Sequence, residues 1–177
     1  MALTFRKLHP HFVGESSPVE LRKTHDEETL ARIRAGMDEF AVLVFHDQSF
    51  SDAEQIAFGE RLDGRLHQGT KLKGAIHPLV RTIPRSLRRS LYLASHQSRI
   101  IDWPIPEGRL LLRDLMEHAT QPEFVYRHAW RVGDLVIWDN RATMHRARPF
   151  DDAKYRRELR RVTTLDIEQP AFAAAGS

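Results

Sequence analysis

Apolar positions recur at helical spacing early in the chain. Leu30, Ile33 and Met37 share one stripe of a run reaching Phe40, and the polar cluster Thr24-His25-Asp26-Glu27 before it can cap a helix. The pattern then changes. Ala41-Val42-Leu43-Val44-Phe45 is a short continuous apolar run of strand formers, closed by the polar turn His46-Asp47-Gln48. Ser51 and Asp52 cap a second expected helix that passes through Phe58 and closes at Gly59. From Arg61 to Arg89 no period is clear, and Gly64, Gly69, Gly74, Pro78 and Pro84 interrupt the run.

Periodicity returns further on. Leu91-Tyr92-Leu93 reads as a short strand. Glu107 to Ala119 reads as a helix with Leu111, Leu115 and Ala119 on one stripe, flanked by Leu112 and Met116. Phe124-Val125-Tyr126 and Leu135-Val136-Ile137-Trp138 flank Val132-Gly133-Asp134, which predicts a hairpin. Two more strands are expected, around Thr143 to Arg148 and Glu158 to Leu165, followed by a frayed tail. Helices beside mostly antiparallel strands predict an α+β domain built on a β-sandwich or barrel. The 177 residues fit one domain.

The absence of cysteine excludes a disulfide framework and thiolate metal sites. No run of signal-peptide or membrane-span length occurs, so a cytoplasmic protein without membrane contact is expected. The formal charge is only +3, but the arginines cluster: Arg81, Arg85, Arg88 and Arg89 in one group, and Arg141, Arg146, Arg148, Arg156, Arg157, Arg160 and Arg161 in another. Such clusters bind nucleic acid or small carboxylates, or are simply solvated. They lack the interleaved aromatics of a base-stacking surface, so no nucleic-acid partner is expected.

Two stretches concentrate chemistry. In Trp138-Asp139-Asn140-Arg141-Ala142-Thr143-Met144-His145-Arg146, strand alternation puts His145 beside the small residues Thr143 and Ala147, with room for a ligand. Imidazole binds iron or zinc, although a lone strand histidine is more often structural. In Arg157-Glu158-Leu159-Arg160-Arg161-Val162-Thr163, alternation puts Arg157 and Arg161 on one face, roughly 13 Å apart at the backbone. Each guanidinium can pair with a carboxylate through two hydrogen bonds; a surface strand of alternating charge fits the pattern as well. His25-Asp26-Glu27 has the bare spacing of a histidine–carboxylate pair but sits where a helix cap is expected. His46, His67, His96, His118 and His128 show no partner spacing.

These segments together resemble the iron(II)- and 2-oxoglutarate-dependent taurine/2,4-dichlorophenoxyacetate dioxygenase family, more its 2,4-dichlorophenoxyacetate branch. The matching stretches are Ala41 to Gln48 with Gln55 to Gly59, Pro106 to Phe124, Gly133 to Arg141 with His145, and Arg156 to Thr164. The resemblance implies a double-stranded β-helix, or jelly roll, with flanking helices. It implies Fe(II) as cofactor and 2-oxoglutarate as cosubstrate. Oxygen and a small anionic organic substrate, such as an aryloxyalkanoate, would be the other reactants, with succinate and carbon dioxide as products. His145 corresponds to the distal histidine iron ligand. Arg157 corresponds to the arginine that pairs with the far carboxylate of 2-oxoglutarate, and Arg161 to the one that holds the substrate anion. The histidine-to-arginine spacing is one residue long, which leaves Arg156 as an alternative to Arg157. The resemblance also allows a homo-oligomer.

One part of the pattern is missing. The family's first iron-binding pair is His-x-Asp preceded by tryptophan, and no His-x-Asp occurs in this sequence. Leu66 to Thr70 runs directly into Lys71 to Thr82, which resembles a later stretch, so a segment is expected to be missing near residues 66–75. Ile83 also stands where many relatives carry histidine. Three origins are open: further residues in the physical polypeptide, an internal deletion, or a shortened relative without the metal. A non-catalytic relative that binds small carboxylates, or serves as a structural partner, is therefore the alternative function.

Overall fold

A computed structural model describes residues 2–66 and 76–165. Residues 67–75, nearly all of the stretch 66–75 where an interruption is expected, and the tail from residue 166 lie outside the described residues. Among the described residues there are six strands and three α-helices: β1 Phe5–His9, β2 Val13–Ser16, α1 Glu27–Phe40, β3 Val42–Phe45, α2 Asp52–Asp63, β4 Val80–Thr82, β5 Arg89–Leu91, α3 Ile105–Ala119 and β6 Leu135–Trp138. This is an α+β arrangement. No helix of the described residues is long and apolar enough to cross a membrane.

Four strands make the main sheet in the order β1-β2-β3-β6. β1 and β2 are an antiparallel hairpin, β2 and β3 run parallel, and β3 and β6 are antiparallel with Val42 opposite Trp138 and Phe45 opposite Leu135. β4 and β5 form a separate antiparallel pair.

The continuous apolar run of β3 is explained by burial on both faces. Leu43 and Phe45 face Leu30, Ile33 and Phe40 of α1 and Phe58 and Leu62 of α2. Val42 and Val44 face the other way, with Val13, Phe12, Tyr126, Val136 and Trp138. Helix α1 starts where expected: the Asp26 side chain accepts from the Thr29 amide as N-cap. Ala41 turns the chain in the left-handed region directly into β3.

Helix α2 has the expected Ser51 cap, completed by Glu54 into a capping box, but it does not stop at Gly59. It continues to Gly64. Gly59 instead serves a close approach: a Cβ there would lie 3.0 Å from Val162 Cγ1.

Three strand expectations fail. Phe124-Val125-Tyr126 is not in a ladder; residues Pro122–Phe124 form a 3-10 turn. Thr143–Arg148 and Glu158–Leu165 form no strand ladder among the described residues, apart from a bridge between Leu66 and Thr164. The physical reason is common to all three. Alternation makes a strand possible, but a ladder needs a neighbouring strand to accept its N–H and C=O groups. The strand expected at Leu91 to Leu93 is displaced to Arg89–Leu91.

The first arginine group is structural. Arg85 donates to Asp38 Oδ2 through two nitrogens at 3.0 and 2.7 Å, and Arg88 donates to the Glu39 carbonyl at 2.8 Å. Both fasten the β4–β5 hairpin to the C-terminal end of α1, where a helix favours cations. Arg81 is buried, its guanidinium 4.5 Å from the centre of the Tyr92 ring.

Candidate functional site

Strand β6 leads into a tightly bonded turn. The Asp139 amide donates to the Ala41 carbonyl at 2.9 Å, which extends the β3–β6 register by one bond. The Asp139 carboxylate accepts from the Arg141 amide at 2.8 Å and from its guanidinium at 2.9 and 3.0 Å. The Asp139 carbonyl accepts from the Ala142 and Thr143 amides and from the Thr143 hydroxyl. The Ser90 hydroxyl donates to the Arg141 carbonyl at 2.7 Å, tying the turn to β5.

At the mouth of this turn the Trp138 indole N–H donates to Asn140 Oδ1 at 2.9 Å. The His145 ring rests against the Trp138 ring, with centroids 4.8 Å apart and planes inclined by 58°. His145 is exposed, as the ligand-facing reading requires, but a strand face does not present it. An aromatic contact after a turn positions it.

The C-terminal arginines are placed by helix α2. Arg160 donates to Asp52 Oδ1 at 2.6 Å and to the Phe50 carbonyl at 2.7 Å. Val162 fits against Gly59, and the Leu165 amide donates to the Arg65 carbonyl at 2.8 Å. Arg160 and Val162 thus both contact α2 and the segment before it, with the Arg160 side chain still 49% exposed. Arg161 is exposed and makes no hydrogen bond or ion pair with any described residue. Arg157 is exposed as well, with its guanidinium 5.5 Å from the centre of the Phe150 ring. Arg156, the alternative, pairs with Glu158 at 2.8 Å. No hydrogen bond, ion pair or ring contact among the described residues joins His145, Arg157 and Arg161 to one another.

Among the described residues, the donor set does not complete an iron site. The described residues contain no group of three or more histidine, aspartate or glutamate side chains placed to hold a metal ion. The contact of His145 is an indole, which is not a ligand. An iron held by two histidines and a carboxylate needs two donors more than this turn presents.

A second polar cluster was not foreseen. Asp134, its side chain only 1% exposed, receives His46 Nδ1 at 2.6 Å on one oxygen. Its other oxygen receives His128 Nε2 at 2.9 Å and the Arg131 amide at 2.9 Å. The second nitrogen of His46 lies 3.1 Å from Glu15 Oε1, and Glu15 also pairs with Arg6. The hydrogen bonds to Asp134 and Glu15 hold the His46 pKa above its ordinary value. Burial pushes the Asp134 pKa up, but the bonds from His46, the Arg131 amide and His128 outweigh it, so the carboxyl sits low. Glu15 is lowered chiefly by its bond from Arg6. In sequence these histidines stand alone, because their partner lies 88 positions away for His46. The one local signal was the Gly133-Asp134 turn.

Gly133 is required there. Its φ is +86°, and a Cβ would lie 3.4 Å from the Asp47 Cα. The Gln48 amide donates to the Gly133 carbonyl at 2.6 Å, so backbone as well as side chains join this turn to the corner after β3.

Comparison with known proteins gives one family match. The model of the family described as "Taurine catabolism dioxygenase TauD, TfdA family" matches residues 65–163. Over 88 residues, half of the chain, the sequence is 58% identical to the alpha-ketoglutarate-dependent 2,4-dichlorophenoxyacetate dioxygenase of Burkholderia sp. (strain RASC). Over 157 residues, 88% of the chain, it is 33% identical to pentalenolactone F synthase of Streptomyces arenae. These matches span 29% and 48% of the two relatives' lengths, so the chain covers less than half of either. Among solved structures it resembles AAD-2, crystallised with Mn(II) and N-oxalylglycine, with TM-score 0.79 and 32% identity over 87% of this chain and 94% of that one.

Proposed function

Because the chain belongs to the taurine catabolism dioxygenase TauD, TfdA family, we propose that its function is Fe(II)- and 2-oxoglutarate-dependent hydroxylation of a small anionic substrate such as an aryloxyalkanoate. The net reaction takes up oxygen and converts 2-oxoglutarate to succinate and carbon dioxide as the substrate is hydroxylated. The supporting observation is the ordered set Trp138–His145, Arg157 and Arg161, all inside the matched residues 65–163. Arg157 is the residue for the far carboxylate of 2-oxoglutarate, and Arg161 the residue for the substrate anion. Both are exposed arginines without a protein carboxylate as competitor among the described residues, and their planar forks suit carboxylate ligands. His145 is the proposed distal metal ligand. The proposed frame is a jelly roll over one domain, residues 1–177, in a cytoplasmic protein that acts on small molecules.

No step through iron follows from these residues, because the donors beside His145 do not complete a site. The reading requires the His-x-Asp pair, which the 177 residues lack. The alternative reading is a non-catalytic relative that binds small carboxylates through its arginines or serves as a structural partner. Intact mass of the purified protein separates the two. A mass clearly above 20.5 kDa, with succinate release on adding Fe(II), 2-oxoglutarate and an aryloxyacetate, supports the dioxygenase. A mass of 20.5 kDa without succinate release removes the catalytic reading for this polypeptide.

A further inference from the structure

We propose that His46 is a proton-operated latch: as an imidazolium it bridges Asp134 and Glu15 and fastens the start of β6 to β2 and the end of β3.

The argument begins with hydrogen-bond chemistry. His46 Nδ1 lies 2.6 Å from Asp134 Oδ1, and Nε2 lies 3.1 Å from Glu15 Oε1. An ionised carboxylate accepts and cannot donate. Two such partners therefore require an N–H on both ring nitrogens, which is the charged imidazolium. A neutral ring supplies one donor, so loss of the proton leaves one of the two bridges facing an acceptor with a lone pair. The arrangement is two-state by construction.

The surrounding charges agree. Arg6 of β1 pairs with Glu15 of β2 and keeps it ionised. Asp134 is kept ionised by bonds from His46, His128 and the Arg131 amide. The Arg131 charge opposes the His46 proton, but only as a lesser effect than the two bridges. Tyr126, on the same extended run as His128, is neutral in the ordinary range, because burial raises its pKa. His128 occupies the other oxygen of Asp134 and packs edge-on against Trp130, with centroids 4.7 Å apart. Glu15 and Asp134 are the carboxylates facing His46 among these groups, so its deprotonation removes the cation between them and leaves Arg6 on Glu15 and His128 on Asp134.

The position of the latch gives it reach. Asp134 immediately precedes β6, and Trp138 at the far end of that strand carries the ring contact to His145. With the bridge made, this end of β6 is tied to two other strands. With it broken, the Gln48–Gly133 backbone bond and the His128 bond remain, and the strand end loosens without detaching. This inference is independent of the reaction proposed above.

The test is a histidine-ring NMR titration of the intact chain, with the His46 signals assigned by loss in His46→Gln. Amide exchange at Leu135–Trp138 is followed in parallel and corrected for the intrinsic pH dependence. At neutral pH both His46 nitrogens are expected to be protonated, and the ring to titrate above 6.5. Protection of β6 amides is expected to fall several-fold as pH rises through that transition. In Glu15→Gln the titration moves down toward 6.5, a readout available even where His46→Gln folds poorly. A neutral His46 tautomer at neutral pH, a titration at or below 6.5, an unmoved titration in Glu15→Gln, or β6 protection indifferent to the transition would each overturn the latch.

Discussion

Alanine at Arg160 and alanine at Arg161 should act in opposite ways, although the residues are adjacent. Arg160 donates to Asp52 at 2.6 Å and to the Phe50 carbonyl at 2.7 Å. Its side chain is 49% exposed and that of Asp52 78%, so the ion pair itself contributes only about 0.2–1 kcal/mol. The charged bond to the part-buried carbonyl adds about 1 kcal/mol after discounting for solvent. Arg160→Ala is therefore expected to cost about 1–2 kcal/mol. Arg161 has no bonded partner among the described residues, so Arg161→Ala should change stability by less than about 0.5 kcal/mol. Urea unfolding followed by circular dichroism reads the difference. With a slope of about 2 kcal/mol/M, the Arg160→Ala midpoint falls by roughly 0.5–1 M while that of Arg161→Ala stays in place. Binding reverses the ranking. Loss of Arg161 removes the proposed partner of the substrate anion and should weaken affinity for an aryloxyacetate on the order of a hundredfold. Equal midpoint losses in the two variants would refute the assignment of the stabilising bonds to Arg160, and unchanged aryloxyacetate affinity in Arg161→Ala would refute its role.

Three further outcomes follow from the packing. Gly36→Ala should destabilise by about 1 kcal/mol net, seen as a lower melting temperature. Its Cβ would lie 2.6 Å from the Phe5 ring and 3.1 Å from Leu43 Cδ1, and overpacking of about 1–3 kcal/mol outweighs the gain in helix propensity of about 1 kcal/mol. Leu87→Gly should stabilise by about 0.5 kcal/mol in the same assay, because Leu87 is 74% exposed and its φ of +55° strains an L side chain. On the acid side, Glu15 and Asp134 have lowered pKa values, so their stabilisation is present above the ordinary values of 4.5 and 3.8 and is lost as pH falls through the lowered ones. His46, with a raised pKa, stabilises fully below 6.5 and loses that contribution as pH rises through its folded value. Asp134→Asn should flatten both limbs of a stability–pH curve measured by urea midpoint; limbs as steep as those of the parent chain would show that this cluster does not set them.

Much of the local structure was legible because it depends on neighbours in sequence. The stripe Leu30, Ile33, Met37 and the caps at Asp26 and Ser51 define α1 and the start of α2 by short-range geometry. The apolar runs of β3 and β6 marked strands, and His145, Arg157 and Arg161 could be singled out with their ordered spacing. What periodicity does not contain is a partner. Thr143–Arg148 and Glu158–Leu165 have the alternation of strands, yet their backbone groups find no ladder among the described residues. Gly59 reads as a helix stop, and its use is to admit Val162 from more than a hundred positions away. The bridge from Glu15 through His46 and Asp134 to His128 is likewise a product of four separate segments meeting. The sequence by itself determined the turns, caps, amphipathic faces and the order of the candidate ligands, since each rests on bonds within a few residues. Tertiary structure alone decided which strands are paired, which arginine is bonded and which histidine sits between two carboxylates, since each depends on groups that only packing brings within hydrogen-bond range.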